Sequence, residues 1–424
     1  MEFILIANGL THRGEHSYRL IHEVIGALDR RGLKSQVYAA RSLHPEIIAE
    51  GIAVPHFKNS LYDNVGRIAG LVVQNVKHWS RGGKGFVSCP DEFLTWRSLN
   101  RSFCRDLSAL PAEVRTPDHL WVVTAICQNQ ISGLVEFMRG RPRGTLPKVV
   151  CQLMFPPNWT PWDGVAKHAD EYYSEALRRA APLIGDKLFF TTENESVAQI
   201  YRERFGIETK ILPVPFARVR PPPHTGKTVR LGFFGYSKGE KGFHLLPEMV
   251  DLCRRAGLNV EFDIQIQHSQ WEATTVAAER KLRAMPNVRL IEGTLSSDDY
   301  IKATDKADII LLPYDPILFG MRGSGLFTES VAAGRPIIAS SGTFAAESIS
   351  RGEAQGEIFA PHDSQQLFAA VVRILPRIPE ISARATAQAK SFARRHDGDA
   401  YVDALLNLVN GARECSHEAK DERH

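Results

Sequence analysis

Short apolar runs alternate with segments whose apolar positions recur every three or four residues, and this alternation covers most of the 424-residue chain. The first kind predicts strands and the second amphipathic helices. The chain opens with strand FILIAN, loop GLTHRGEHS, a helix carrying Leu20, Ile21, Val24, Ile25 and Leu28 on one face, and strand SQVYAA after Gly32. A strand, a glycine-bearing loop, a helix and a second strand make the repeating unit of open parallel sheets. Further strands are expected at LWVVTAI, KVVCQLMF, KLFFTT and TKILPVPF, with helices over Asp163–Ala181 and Glu195–Phe205. The stretch from Ala53 to Asp118 is less regular and supports no motif.

Proline and basic residues crowd PVPFARVRPPPHTGKT, which suits neither a central strand nor a helix because proline lacks the donor and fixes φ. The alternation then restarts with strands VRLGFFG, VEFDIQIQ, NVRLIEG, ADIILLPY, RPIIAS and GEIFA. Helices are expected from Phe243, Trp271, Asp298 and Ser324, and after DSQQ, where Asp363 and Gln366 have capping-box spacing. A last helix is expected over Ser391–Ala412, followed by a solvated tail. The expected fold is α/β, with two doubly wound Rossmann-like domains. We place the domains at 1–215 and 229–390, a linker at 216–228, and a C-terminal helix and tail at 391–424 that packs back toward the first domain.

The length exceeds what one core usually organises, in keeping with two domains. A formal charge of +4 is too small over this length for a nucleic-acid footprint, so no nucleic-acid partner is expected. The six cysteines, Cys89, Cys104, Cys127, Cys151, Cys253 and Cys415, contain no CxxC pair and read as reduced thiols. MEFILIANGL has no basic n-region, and no apolar run is long enough to span a bilayer. The expected location is cytoplasmic.

The chemistry concentrates in FGMRGSGLFTESVAAGRPIIAS, Phe319 to Ser340. RGSG lies at the carboxyl end of a strand and the amino end of a helix, where open α/β sheets hold ligands and free N–H groups attract an anion. Gly323 and Gly325 let a phosphate approach the backbone. Glu329, one turn into the helix, accepts two hydroxyl hydrogen bonds, as an acid does for a ribose in dinucleotide folds. The same residues also suit a plain helix start with Glu329 facing solvent. A second loop tips the balance: FFGYSKGEKGFHLLPEM follows the domain's first strand and places Lys241 just before a helix, where a lysine meets a diphosphate.

In this order, and about 80 residues apart, the two stretches resemble the C-terminal domain of GT-B glycosyltransferases, in particular family 4, the retaining sugar-nucleotide enzymes. The family's first loop reads F-x-G-R-x(4)-K-G, and Gly235, Tyr236, Lys241 and Gly242 keep that spacing. Its later signature, two glutamates eight apart running into E-A-x-A-x-G-x-P-V-I, is matched in its second half by TESVAAGRPII. The resemblance covers most of residues 229–345. It implies two domains facing across a cleft, and transfer of a hexose-type unit from a nucleotide diphosphate sugar to a glycan, glycolipid or other acceptor, with retention. By position it implies Lys241 at the diphosphate, Glu329 at the ribose, and Gly323, Ser324, Gly325 and Leu326 at the phosphates and transferred sugar. Gly293 to Leu295 would lie at the base. Two positions depart from the pattern: Tyr236 stands where the family has arginine, and Met321 where it has the first glutamate. Lys238 or Arg322 is expected to restore the missing positive charge.

On the acceptor side the resemblance implies a glycine loop after the first strand, which Gly14 suits, and a histidine at the end of a central strand. KVVCQLMF instead ends in Met154 and Phe155, leaving His12, His16, His119 and His168 as the nearest histidines. Trp159 and Trp162 in PPNWTPW suit either a sugar platform or a packed loop. No metal or other cofactor is expected, because DGD at Asp397 lies in the tail and Asp298-Asp299 fits a helix start. Lipid-linked acceptors in the family and an arginine-rich first domain leave peripheral membrane contact open, although no amphipathic anchor stands out. A second reading, motivated by Tyr236 and Met321, is a protein that binds a nucleotide sugar or glycan without turning it over. An unrelated dehydrogenase is the weaker rival, since neither glycine loop has GxGxxG spacing.

Overall fold

The computed structural model describes residues 1–13, 16–63, 67–86, 92–159, 166–218, 228–267 and 272–421. Gly14, Trp162 and most of the expected linker, 219–227, lie outside the described residues. The chain forms two units, Met1–Pro213 with Tyr401–His424, and Val214–Ala400.

In the first unit, strands β1 (Glu2–Ala7), β2 (Ser35–Ala40), β3 (Val54–Phe57), β4 (His119–Val123), β5 (Lys148–Gln152), β6 (Leu188–Thr192) and β7 (Lys210–Ile211) form one sheet in the order β3-β2-β1-β4-β5-β6-β7. Every neighbouring pair is parallel. The helices between them are α1 (His16–Arg30), α2 (Pro45–Glu50), α3 (Arg67–Ser80), α4 (Glu92–Ser108), α5 (Ile131–Arg139), α6 (Ala169–Ala180) and α7 (Glu195–Phe205). The central strands are buried almost end to end because helices cover both faces of a parallel sheet. β7 stops after two residues where TKILPVPF predicts a full strand, since Pro213 and Pro215 have no N–H for a ladder. The stretch that looked irregular, from Ala53 to Asp118, folds as β3, α3 and α4.

The second unit holds β8 (Val229–Phe233), β9 (Val260–Ile266), β10 (Val288–Glu292), β11 (Ile309–Leu312), β12 (Ile337–Ser340) and β13 (Gly356–Phe359), ordered β10-β9-β8-β11-β12-β13 and again all parallel. Its helices are α8 (Leu246–Arg255), α9 (Ala273–Arg283), α10 (Ser297–Asp305), α11 (Pro316–Phe319), α12 (Gly325–Ala332), α13 (Phe344–Ser350), α14 (Ser364–Ile374) and α15 (Ile378–Arg395). Successive side chains of a strand point to opposite faces. Leu311 accordingly joins a cluster with Leu231, Phe262 and Val371, while Ile310 joins another with Phe234, Phe327 and Phe392.

The tail is two helices rather than one. α15 ends at Arg395 and α16 (Gly398–Asp421) begins after a break, because the Asp397 carboxylate accepts the N–H of Ala400 (2.8 Å) and caps a new helix. α16 packs on the first unit, where the Tyr401 hydroxyl donates to Gln152 Oε1 (3.1 Å) and Arg31 pairs with Asp403 (2.8 Å). In each sheet the strand order reverses beside the first strand, between β1 and β4 and between β8 and β11. At such a switch point the connecting loops diverge and leave a crevice at the carboxyl ends of the strands.

Candidate functional site

The loops after β8 and β11 meet at the second unit's switch point. The first loop turns at Gly235, whose φ of +93° is costly for any residue with a Cβ. Its N–H donates to Gln265 Oε1 (2.8 Å), and a Cβ there would stand 2.9 Å from Lys241 Nζ. The turn ends at Gly242, φ +72°, where a Cβ would fall 1.8 Å from the Pro313 carbonyl oxygen. Bare backbone at these two positions lets the Lys241 turn lie flat against the end of β11. The Asp315 N–H fastens it by donating to the Glu240 carbonyl (2.9 Å). From the far side, Glu272 Oε2 accepts the N–H of Gly239 (2.8 Å).

Lys241 makes no ion pair among the described residues. Its ammonium lies 5.9 Å from the centre of the Tyr314 ring. Burial, reinforced by Lys238 and opposed by Glu240, lowers the ammonium to about 8. Glu240 instead serves its neighbours: one carboxylate oxygen lies 3.8 Å from Lys238 Nζ and the other 3.5 Å from Arg322 Nη1. Arg322 also stacks 4.3 Å over the Phe319 ring. Lys238 lies 5.6 Å from the ring centre of Tyr236. Beside the position that lacks the family's arginine there stands another cation, Lys238, which shares the Glu240 carboxylate with Arg322.

Ser324 caps α12 by accepting the Phe327 N–H (3.3 Å), with the Tyr314 hydroxyl 3.5 Å from its Oγ. The N–H groups of Gly325 and Leu326 stand at the helix's positive end. Tyr314 joins the parts of the site: it underlies Lys241, touches Ser324 and feels the charges of Arg322, Glu240 and Glu329, while burial pushes its hydroxyl up to about 12. Glu329 is 5% exposed, so a solvent-facing carboxylate is ruled out at this position. Gly323 is half-buried in the loop before α12, and Met321 projects outward at 40% exposure. Leu295 packs at the edge of the cluster around Phe234 and Phe327.

Two groups that sequence reasoning missed hold this arrangement. Glu240 organises the cations. Gln265, 2% exposed on β9, accepts from Gly235 and donates to the Gly293 carbonyl (2.8 Å), tying the Lys241 loop to the segment that leads to Leu295. Its signal was present in VEFDIQIQ, where polar residues interrupt a strand buried on both faces. Among the described residues no group of three His, Cys, Asp or Glu side chains is placed to hold a metal ion.

The first unit's switch point is built from different chemistry. Asn8, at the end of β1, is buried, and neither polar atom of its side chain has a hydrogen-bond partner among the described residues. Beyond β4 follow Gln128 and Asn129, whose amide oxygens are also unpartnered. At the end of β6, the Glu193 side chain is only 5% exposed, accepts from Gln152 Nε2 (3.1 Å) and lies 3.6 Å from His16 Nε2. His16, one of the four candidate histidines, thus meets a carboxylate at this edge. His119 sits at the amino end of β4, and His168 pairs with Glu171 in the open. Trp159 stacks on Phe155 with ring centres 3.8 Å apart, so one of its faces is already covered.

Residues 228–377 match the family described as Glycosyl transferases group 1. The second unit carries a glycosyltransferase domain. The solved structures that the whole chain resembles agree in fold. They include a glycosyltransferase from Rickettsia africae ESF-5 (12% identity, TM-score 0.61, covering 97% of this chain and 98% of that one). The trehalose-6-phosphate synthase OtsA gives 10%, 0.65, 97% and 99%, and the trehalose-6-phosphate protein from E. coli bound with UDP-2-fluoro glucose gives 11%, 0.63, 96% and 99%. Anabaena Alr3699/HepE, in complex with UDP and glucose, gives 13%, 0.57, 98% and 99%. At these identities the likeness speaks for the GT-B fold of two Rossmann-like domains. No curated protein matches the chain in sequence.

Proposed function

We propose that this glycosyltransferase moves a sugar from a nucleotide diphosphate sugar to a glycan or glycolipid acceptor, with retention and without a metal cofactor. The observation that carries the reading is the half-buried Lys241 ammonium, without an ion pair among the described residues, set between Gly235 and Tyr314 beside the start of α12, with Glu329 buried one turn on. Lys241 and Arg322 take the charge of the leaving diphosphate, aided by the N–H groups of Gly325 and Leu326. Glu329 holds the ribose hydroxyls. The acceptor oxygen attacks the anomeric carbon from the face the diphosphate leaves and passes its proton to that leaving group. That the similar E. coli trehalose-6-phosphate protein was solved with UDP-2-fluoro glucose, and Anabaena HepE with UDP and glucose, supports a nucleotide-sugar donor.

The test is a thermal shift of the protein in EDTA with UDP, GDP, ADP and their sugar conjugates. A ligand at about 100 times its dissociation constant stabilises by about 2.7 kcal/mol, a readily measured rise in melting temperature. Glu329→Gln is expected to weaken the ribonucleotide about 10- to 100-fold and to leave the 2′,3′-dideoxy analogue unaffected, since a charged hydrogen bond contributes about 1.5–3 kcal/mol. Absence of a shift with every nucleotide, or a shift only when magnesium replaces EDTA, overturns the reading. Met321, uncharged where the family has an acid, favours one alternative, a binder without turnover. That alternative is distinguished by a clear shift with no donor consumption in any acceptor mixture.

A further inference from the structure

The first unit carries an apolar row that its own packing leaves uncovered. On α3, Val72, Val76 and Trp79 are 58%, 55% and 52% exposed, and Phe86 in the following turn is 70% exposed. At 100° per residue the three helical positions fall within about 60° of one another, a single stripe. The helix also has a packed side: Asn75 is 2% exposed and donates to the Leu71 carbonyl (2.8 Å), and α3 lies against α4. A surface helix normally turns its apolar stripe to the core. Here an apolar stripe faces out.

The turn beyond α3 is tied back onto the helix end. The Trp79 indole N–H donates to the Gly85 carbonyl (2.7 Å), His78 Nε2 lies 3.2 Å from the Lys84 carbonyl, and the Gly83 N–H donates to the His78 carbonyl (3.0 Å). The segment bearing Lys84 and Phe86 is thereby held to the helix. From Ile68 to Phe86 the chain has Lys77, Arg81 and Lys84 and no acidic residue, and all three cations are exposed.

We propose that α3 and the turn to Phe86 form a docking surface for an anionic lipid bilayer. Tryptophan is suited to the headgroup boundary, with its ring among acyl chains and its N–H satisfied, here already by Gly85. Lysine and arginine keep their stems on apolar surface while their heads reach lipid phosphates. Charge complementarity selects this occupant over a second copy of the chain, which would set three cations against three cations. No described helix is long and apolar enough to cross a membrane, so the contact is one of a helix lying in the interface.

The test is co-sedimentation of the full chain with vesicles of phosphatidylglycerol and phosphatidylcholine in equal parts, against phosphatidylcholine alone. Partitioning is expected to be at least tenfold stronger on the anionic vesicles and to weaken between about 0.1 and 0.5 M salt. Lys77→Glu, Arg81→Glu and Lys84→Glu together are expected to lower it about a hundredfold or more, each cation contributing roughly fivefold. Val72→Ser with Val76→Ser is expected to lower it about tenfold while leaving the melting temperature and the Trp79 to Gly85 bond unchanged. No binding to anionic vesicles, equal binding to neutral ones, or binding that survives both variants overturns the proposal. So does lipid-free self-association that the serine variant abolishes, which would assign the surface to a second copy. The readout needs no nucleotide and stands apart from the donor-site reading.

Discussion

The two switch points share a topology and differ in chemistry. In both units parallel strands end at a reversal of strand order, and a loop leads from the first strand toward a helix. At the second unit's edge the loops carry Lys238, Lys241 and Arg322 around one carboxylate, Glu240, with glycines at the two turns. At the first unit's edge stand the amides of Asn8, Gln128 and Asn129, and its buried carboxylate, Glu193, is already bonded to Gln152. The fold supplies a ledge of strand ends, and the side chains on it decide what rests there. A cationic, glycine-lined ledge suits a diphosphate, and an amide-lined one suits uncharged hydroxyls.

The sharpest way to break this contrast is to remove its central charge. Lys241→Ala is expected to lower kcat/KM by about 10²- to 10³-fold, the usual cost of losing one preorganised group that stabilises developing charge. The pH dependence separates charge from packing. The ammonium of the unliganded protein titrates at about 8, and a bound diphosphate holds its proton to higher pH. Nucleotide affinity should therefore fall up to about tenfold per unit as pH rises above 8, with proton uptake on binding. Calorimetry in buffers of different ionisation enthalpy measures both, and Lys241→Ala should show neither. Folding has the opposite sign. The folded value lies below the unfolded value of about 10.4, so stability of the unliganded protein rises between pH 8 and about 10 and the deficit is fully present below 8. A flat affinity profile in the unsubstituted protein would place the leaving-group charge on another residue.

The charged edge was legible in the sequence because cations, glycines and a helix cap stand at fixed offsets from strands. Lys241, Ser324 and Glu329 fall where those offsets put them, and the alternation of strands and helices marked both sheets. Contacts between distant segments were not legible. Nothing near Glu240 in the chain indicates that its carboxylate lies between Lys238 and Arg322, because the third partner comes from another loop. The role of Gln265 depends likewise on the close approach of Gly235 and Gly293. α3 escaped for a further reason. An apolar row at helical spacing reads as a core face, and only the fold shows that Val72, Val76 and Trp79 point outward. The break at Asp397 was present as a capping residue within an otherwise helical pattern, and pattern outweighed cap.

A substitution on the neutral edge sharpens the contrast from the other side. Asn8 lines a cavity of about 10 Å³ with Asn59, Leu99, Phe103, Asp106 and Gln130, and its amide has no hydrogen-bond partner among the described residues. Leaving a buried polar group unsatisfied costs about 1–3 kcal/mol. Asn8→Leu is therefore expected to stabilise the protein by about 1 kcal/mol or to be neutral in urea unfolding, with nucleotide affinity unchanged. A loss of more than about 2 kcal/mol would mean that the amide is satisfied in solution and that this edge depends on its polar groups as much as the other does.

The smallest effect concerns the carboxylate that the two flanking cations of the charged edge share. Glu240 lies within ion-pair distance of Lys238 and Arg322, so an incoming diphosphate must take both cations from it. The groups are half-exposed, and each such pair is worth only about 0.2–1 kcal/mol. Glu240→Gln, which keeps the backbone carbonyl that receives the Asp315 N–H, is expected to raise nucleotide affinity about two- to fivefold at pH 7. The carboxylate also favours the charged form of Lys241, so its removal moves that ammonium's titration below 8. The gain should shrink or reverse by pH 8.5. A titration of both proteins at the two pH values decides between roles. Affinity that rises at pH 7 identifies Glu240 as a competitor for the cations, and affinity that falls at both values identifies it as the group that holds Lys238 and Arg322 in place for the ligand.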